Sequence, residues 1–157
     1  MFRPLIEIVK KADMSEQEKQ MLRAAVDHLR MQTDHWHTNS PKKVAASIFL
    51  RQRNDCIVAQ NIGISKVTGT QCAERSALAV ALSKYPDLAM QEITDILILG
   101  ETNPILPCGV CCEWLYKINS DMNLYTMKGE DLLKIKISDY YGDESKIEGR
   151  YFKTSQD

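Results

Sequence analysis

Two short stretches concentrate the residues able to do chemistry. One is Thr70–Leu82, TQCAERSALAVAL, where Cys72, Glu74 and Arg75 open an apolar, alanine-rich run. The other is Pro107–Cys111, PCGVC, followed at once by Cys112. A lone C-x-x-C fits a redox pair, half of a structural zinc site, or chance. Joined to an upstream Cys-Ala-Glu at a helix start, it carries more. Three thiolates at two helix starts supply three tetrahedral zinc ligands and leave the fourth position for water, as in a catalytic rather than a structural site. Such an ion lowers the pKa of its water towards neutrality. A carboxylate two residues from a ligand is well placed to move the protons.

The elements that must position these groups follow from periodicity. PLIEIVKKA reads as a short helix with Pro4 in its first turn. In the next segment Ser15 and Glu18 form a capping box, and Met21, Leu22, Ala25 and Leu29 fall on one helical face. QTDHWHTNSPKK reads as a loop. VAASIFL and CIVAQNI read as strands around the polar turn RQRND. A helix is predicted over about 71–85, a buried strand in EITDILILG, a helix over about 108–118, a strand in NLYTM and a short helix in GEDLLKI. The tail DESKIEGRYFKTSQD is assigned a last strand or helix with a frayed end. Strands alternating with helices imply an α/β sandwich with helices on both faces of one sheet. Ligands in such folds sit beyond strand ends, where helix N-termini point.

The chain of 157 residues suggests one domain with a real core. Twenty basic residues against 21 acidic ones give a net charge of −1. This excludes the basic excess of a nucleic-acid binder and favours a small-molecule partner. No apolar run is long enough to span a membrane. The N-terminus lacks the pattern of a secretory signal, so the expected location is a reducing cytoplasm. Clustered cysteines in such a compartment bind metal or do chemistry more often than they form disulfides.

The C-A-E-R stretch followed by P-C-G-V-C resembles the zinc-dependent cytidine deaminases, whose signature has a three-cysteine variant and a glutamate that is not a ligand. The resemblance runs from about Ser40 to Gly142 and ends in DLLKIKISDYYG. It implies a three-layer α/β/α sandwich with a mixed central sheet of about five strands. Residues 1–157 would form a single domain with an extra N-terminal helical segment over about 1–30. It implies Cys72, Cys108 and Cys111 as ligands of one zinc ion per subunit and Glu74 as the proton shuttle. Arg75 would compensate the charge of three thiolates, alongside the two helix N-termini. Asn61, Ala73 and Tyr141 would contact substrate, Tyr141 by reaching a neighbouring subunit's site. The assembly implied is a homo-oligomer, a tetramer before a dimer.

The sequence also departs from the family. Members carry Asn-x-Glu at the end of the second strand to grip a ribose; here Asn61 is present but Gly63 stands in place of the glutamate. Lys42 stands two places before Val44, where members have an aromatic that packs on the pyrimidine. Cys112 and Glu113 replace the usual Arg-Gln. The catalytic set is complete while the sugar and ring contacts differ, so plain cytidine is expected to be handled poorly. The leading expectation is a zinc hydrolase acting on a cytidine-like nucleoside. A deaminase of aminonucleoside antibiotics, of the blasticidin S type, is the alternative within that class. A non-catalytic zinc-stabilised module and a thiol-disulfide protein are the alternatives outside it. Polynucleotide-editing and deoxycytidylate branches usually place histidine where this chain has Cys72. Cys56 and Cys112 are read as packing residues. The His35-Trp36-His37 triplet is read as surface or lid decoration, and His28 receives no role.

Overall fold

The structure is a computed structural model that describes residues 6–39, 42–66 and 69–141. The readings made for Pro4 and for the tail beyond Tyr141 lie outside these residues. Strands β1 (Ile6–Val9), β2 (Val44–Leu50), β3 (Asp55–Gln60), β4 (Asp95–Gly100), β5 (Asn123–Lys128) and β6 (Asp131–Lys136) form one sheet in the order β1-β6-β5-β4-β2-β3. The β4–β5 pair is parallel and every other pair is antiparallel. The helices are α1 (Glu16–Met31), α2 (Ala73–Lys84), α3 (Gly109–Ile118) and the short α4 (Ile137–Tyr140).

Alternation along the central strands explains the layering. Val44, Ala46, Ile48 and Leu50 of β2 join Ile96 and Ile98 of β4 in the core beneath α2 and α3. Ala45 and Phe49 join Leu97 and Leu99 in the core beneath α1. Both strands are thus buried on both faces, which is why they read as unbroken apolar runs. The mixed α/β sandwich expected from the sequence is the fold observed, with six strands rather than about five.

The extra strands were misread for one reason. DLLKIK and IEIV read locally as parts of short helices, yet they form β6 and β1 and pair with each other: Ile6 faces Ile135, Glu7 faces Lys134 and Val9 faces Leu132. The N-terminal segment is therefore a strand plus a helix, not wholly helical. A four-residue alternation is a weak local signal, and its stabilisation comes from cross-strand pairs distant in sequence. The β5–β6 hairpin turns through Gly129, at φ +63°, where an L side chain is strained.

Helix α1 starts at the expected capping box. The Glu18 amide donates to Ser15 Oγ at 3.1 Å, and the Ser15 amide donates to Glu18 Oε1 at 2.9 Å. His28, given no role from sequence, lies 3.1 Å from Gln60 Oε1 through Nε2 and ties α1 to the end of β3.

Candidate metal centre and active site

Strand connectivity brings the two cysteine segments together. β3 and β4 are each antiparallel to β2, so they run parallel to each other and end on the same side of the sheet. Helix α2 follows β3 and helix α3 follows β4, and α3 crosses over to the parallel strand β5. Both helices therefore begin at one sheet end. Cys72 is the N-cap of α2 and Cys108 the N-cap of α3, and Cys111 lies in the first turn of α3.

Their sulfurs converge. Cys72 Sγ and Cys108 Sγ are 3.6 Å apart, and all three Sγ atoms lie within 4.8 Å of one another. Tetrahedral zinc with bonds of about 2.3 Å needs sulfurs about 3.8 Å apart. The set fits the ion in element type, number and spacing. Among the described residues no other group of three His, Cys, Asp or Glu side chains is so disposed. Cys111 is buried, Cys72 half-buried and Cys108 exposed, so the cluster has an open side.

The surroundings favour thiolate. Neither N-cap cysteine caps its own helix through the side chain, and each helix starts with amides lacking intrahelical partners. These ends carry partial positive charge. Arg75 Nη2 lies 3.8 Å from Cys72 Sγ. Hydrogen bonding from Cys111, then from Arg75 and Cys108, outweighs burial and brings the Cys72 thiol down to about 5. Cys111 shifts the other way: its bond to Cys72 and its burial hold it protonated. A divalent cation among the sulfurs replaces those shared protons, since thiol ligands bind deprotonated.

Glu74 sits in the first turn of α2 and is 5% exposed. Burial, the largest influence, pushes its carboxyl up, and the Cys72 charge adds to this against the opposing hydrogen bond from Cys111. Ala73, 1% exposed, is the first residue of α2, so its amide is one of the helix's unpaired donors. Arg75 is held from its other side by Trp114, whose ring centroid is 5.7 Å from the guanidinium carbon. Sequence reasoning passed over Trp114; its place three residues beyond Cys111, on the same side of α3, was the available signal.

The remaining predicted site residues divide. Asn61 is buried at the same end of the sheet, where its Oδ1 accepts from the Val44 amide at 2.9 Å and its Nδ2 donates to the Lys42 carbonyl at 2.8 Å. It first of all braces the start of β2. Tyr141 lies just beyond α4. It is 6% exposed within the core under α2 and α3, and its ring centroid lies 5.6 Å from that of Tyr116.

Cys112 packs as expected, fully buried with its thiol 3.6 Å from the Pro107 carbonyl. Burial raises the Cys56 thiol to about 11, which makes it unreactive at neutral pH. The His-Trp-His triplet splits: Trp36 is 55% exposed, whereas His37 is buried.

The comparisons with known proteins agree with this geometry. The sequence pattern of the cytidine and deoxycytidylate deaminase zinc-binding region matches residues 15–127. The chain belongs to that family, and its enzyme class is zinc-dependent hydrolytic deamination. No curated protein matches the sequence. Among solved structures, cytidine deaminase from Burkholderia pseudomallei aligns with a TM-score of 0.69 at 24% identity, covering 83% of this chain and 98% of that one. Cytidine deaminase from Mycobacterium leprae aligns with a TM-score of 0.63 at 18% identity, covering 80% and 97%. The Mycobacterium tuberculosis enzyme aligns with 0.62 at 14%, covering 80% and 94%. At these identities the likeness is one of fold.

Proposed function

We propose that this chain removes the exocyclic amino group of a cytidine-like nucleoside, exchanging it for oxygen from water and releasing ammonia. The observation that carries this reading is the buried Glu74 two residues from Cys72, beside three sulfurs spaced for zinc. In this reading Cys72, Cys108 and Cys111 hold the ion, which supplies an activated water at neutral pH. Glu74 would take both protons of that water in turn, passing the first to the ring nitrogen and the second to the departing amine. Its raised carboxyl pKa suits a group that must both accept and donate protons. In the same reading the Ala73 amide would donate to the ring, and Asn61 would present its remaining amide valences to the sugar. Arg75, steadied by Trp114, offsets the negative charge left by three thiolates.

The near-neutral chain favours a nucleoside over a polynucleotide, and no helix among the described residues is long and apolar enough to cross a membrane. Free thiols throughout accord with a reducing cytoplasm. A homo-oligomer is part of the proposal. Exposed apolar side chains on the α2–α3 side, among them Leu82, Val110 and Trp114, support it.

Gly63 adds no carboxylate to the sugar side, so cytidine itself is expected to be a modest substrate. Ammonia release should be followed over cytidine, deoxycytidine, cytosine, arabinosylcytosine and blasticidin S. Deamination of at least one is expected. Zinc-loaded protein inert towards all of them would favour the non-catalytic module.

A further inference from the structure

His37 is 6% exposed, and neither ring nitrogen has a hydrogen-bond partner among the described residues. Burying an imidazole without partners is costly, and such a group in a native protein calls for an explanation, a bound partner being one. The loop carrying it is fixed against the cluster by backbone pairing. Gly63 N donates to the Trp36 carbonyl at 2.8 Å, and Asn39 N donates to the Gly63 carbonyl at 2.7 Å, so His37 is clamped beside Gly63. The preceding residue, Ile62, exchanges both backbone bonds with Gln71, at 2.9 and 2.8 Å, and Gln71 adjoins Cys72. Two pairings thus separate His37 from the metal cluster, on the order of 10 Å at ordinary strand spacing. Gly63, lying between them, contributes no side chain.

A second orphan lies five residues earlier in the chain. Gln32, at the end of α1, donates to the Val44 carbonyl at 3.0 Å, the carbonyl that also accepts from the Asn61 amide at 3.2 Å. Its Oε1 is buried and unpartnered among the described residues. One acceptor from Gln32 plus the two ring nitrogens of His37 make a set that can both accept and donate. Hydroxyl groups, which donate and accept together, satisfy such a set; an anion would meet two acceptors.

We propose that His37, with Gln32, binds the hydroxyls of the substrate's sugar and takes over the recognition that position 63 does not provide. The proposal rests on the deaminase reading for the identity of the ligand. The test compares cytidine with cytosine, the base with and without its sugar. Binding is measured by calorimetry on zinc-loaded Glu74→Gln protein, with His37 intact or replaced by alanine. Loss of about tenfold in cytidine affinity is expected for His37→Ala, the size of one lost hydrogen bond. Cytosine affinity and zinc content should stay unchanged. His37→Gln, which keeps a donor and an acceptor, should recover part of the loss. Unchanged cytidine affinity, or an equal loss with both ligands, would overturn the assignment. His37-dependent binding of cytidine without any ammonia from the Glu74 protein would instead sink the deaminase reading and leave the sugar site standing. No binding of cytidine to the protein with His37 intact would remove both.

Discussion

At the residue scale the account turns on what each side chain touches. Glu74→Gln keeps the shape of the carboxylate and removes its basicity. Turnover should fall roughly 10²–10⁴-fold, with zinc content and Tm retained. Asn61 is bonded to the backbone on both sides of its amide. Asn61→Ala leaves the Val44 amide and Lys42 carbonyl unpaired and should lower stability by about 1–3 kcal/mol, seen in denaturant melts, besides weakening substrate binding. The cysteines and Glu74 were legible in the sequence because metal chemistry restricts residue types and spacings so tightly. The burial of His37 left no trace in the sequence, since its neighbours are polar and its loop is fixed by backbone bonds to Gly63.

At the scale of elements, two parallel strands separated by β2 deliver two helix N-termini to one sheet end. Zinc ligation, thiolate stabilisation and amide donation come from the same geometry. The long, periodic elements were readable from sequence. The terminal strand β1 and its partner β6 were not, because each depends on the other across most of the chain. The opposite end of the sheet is secured by Asp95, fully buried and bonded by Arg51, Thr94 and Asn123. Burial alone would push its carboxyl up; those partners more than offset it and hold it below the ordinary carboxylate value. The folded pKa is thus below the unfolded one, so this contribution is complete at neutral pH and is lost as pH falls through the acidic range. Asp95→Asn should cost about 2–3 kcal/mol at pH 7. Its stability should also decline less steeply than the parent's between neutral and acidic pH in urea melts. An identical acid limb would show that Asp95 does not carry that pH dependence.

At the scale of the molecule, the cluster joins segments that follow different strands, so an ion bound there links α2 to α3 and favours the folded state. Zinc at a thousandfold excess over its dissociation constant should raise Tm on the order of 10 °C. Cys111→Ser should lose most of that increment. A zinc-independent Tm would contradict a site spanning the two helices. The chain shares its fold with cytidine deaminases at low identity; residues 37 and 63 are where the proposals above put its substrate choice. The most direct test of the central claim is the product formed by zinc-loaded protein from the best cytidine-like substrate, with Glu74→Gln at matched zinc content alongside. The account predicts equimolar ammonia and the corresponding uracil product from the Glu74 protein and almost none from the variant. Equal product from both, or none from either at full zinc occupancy, would contradict it.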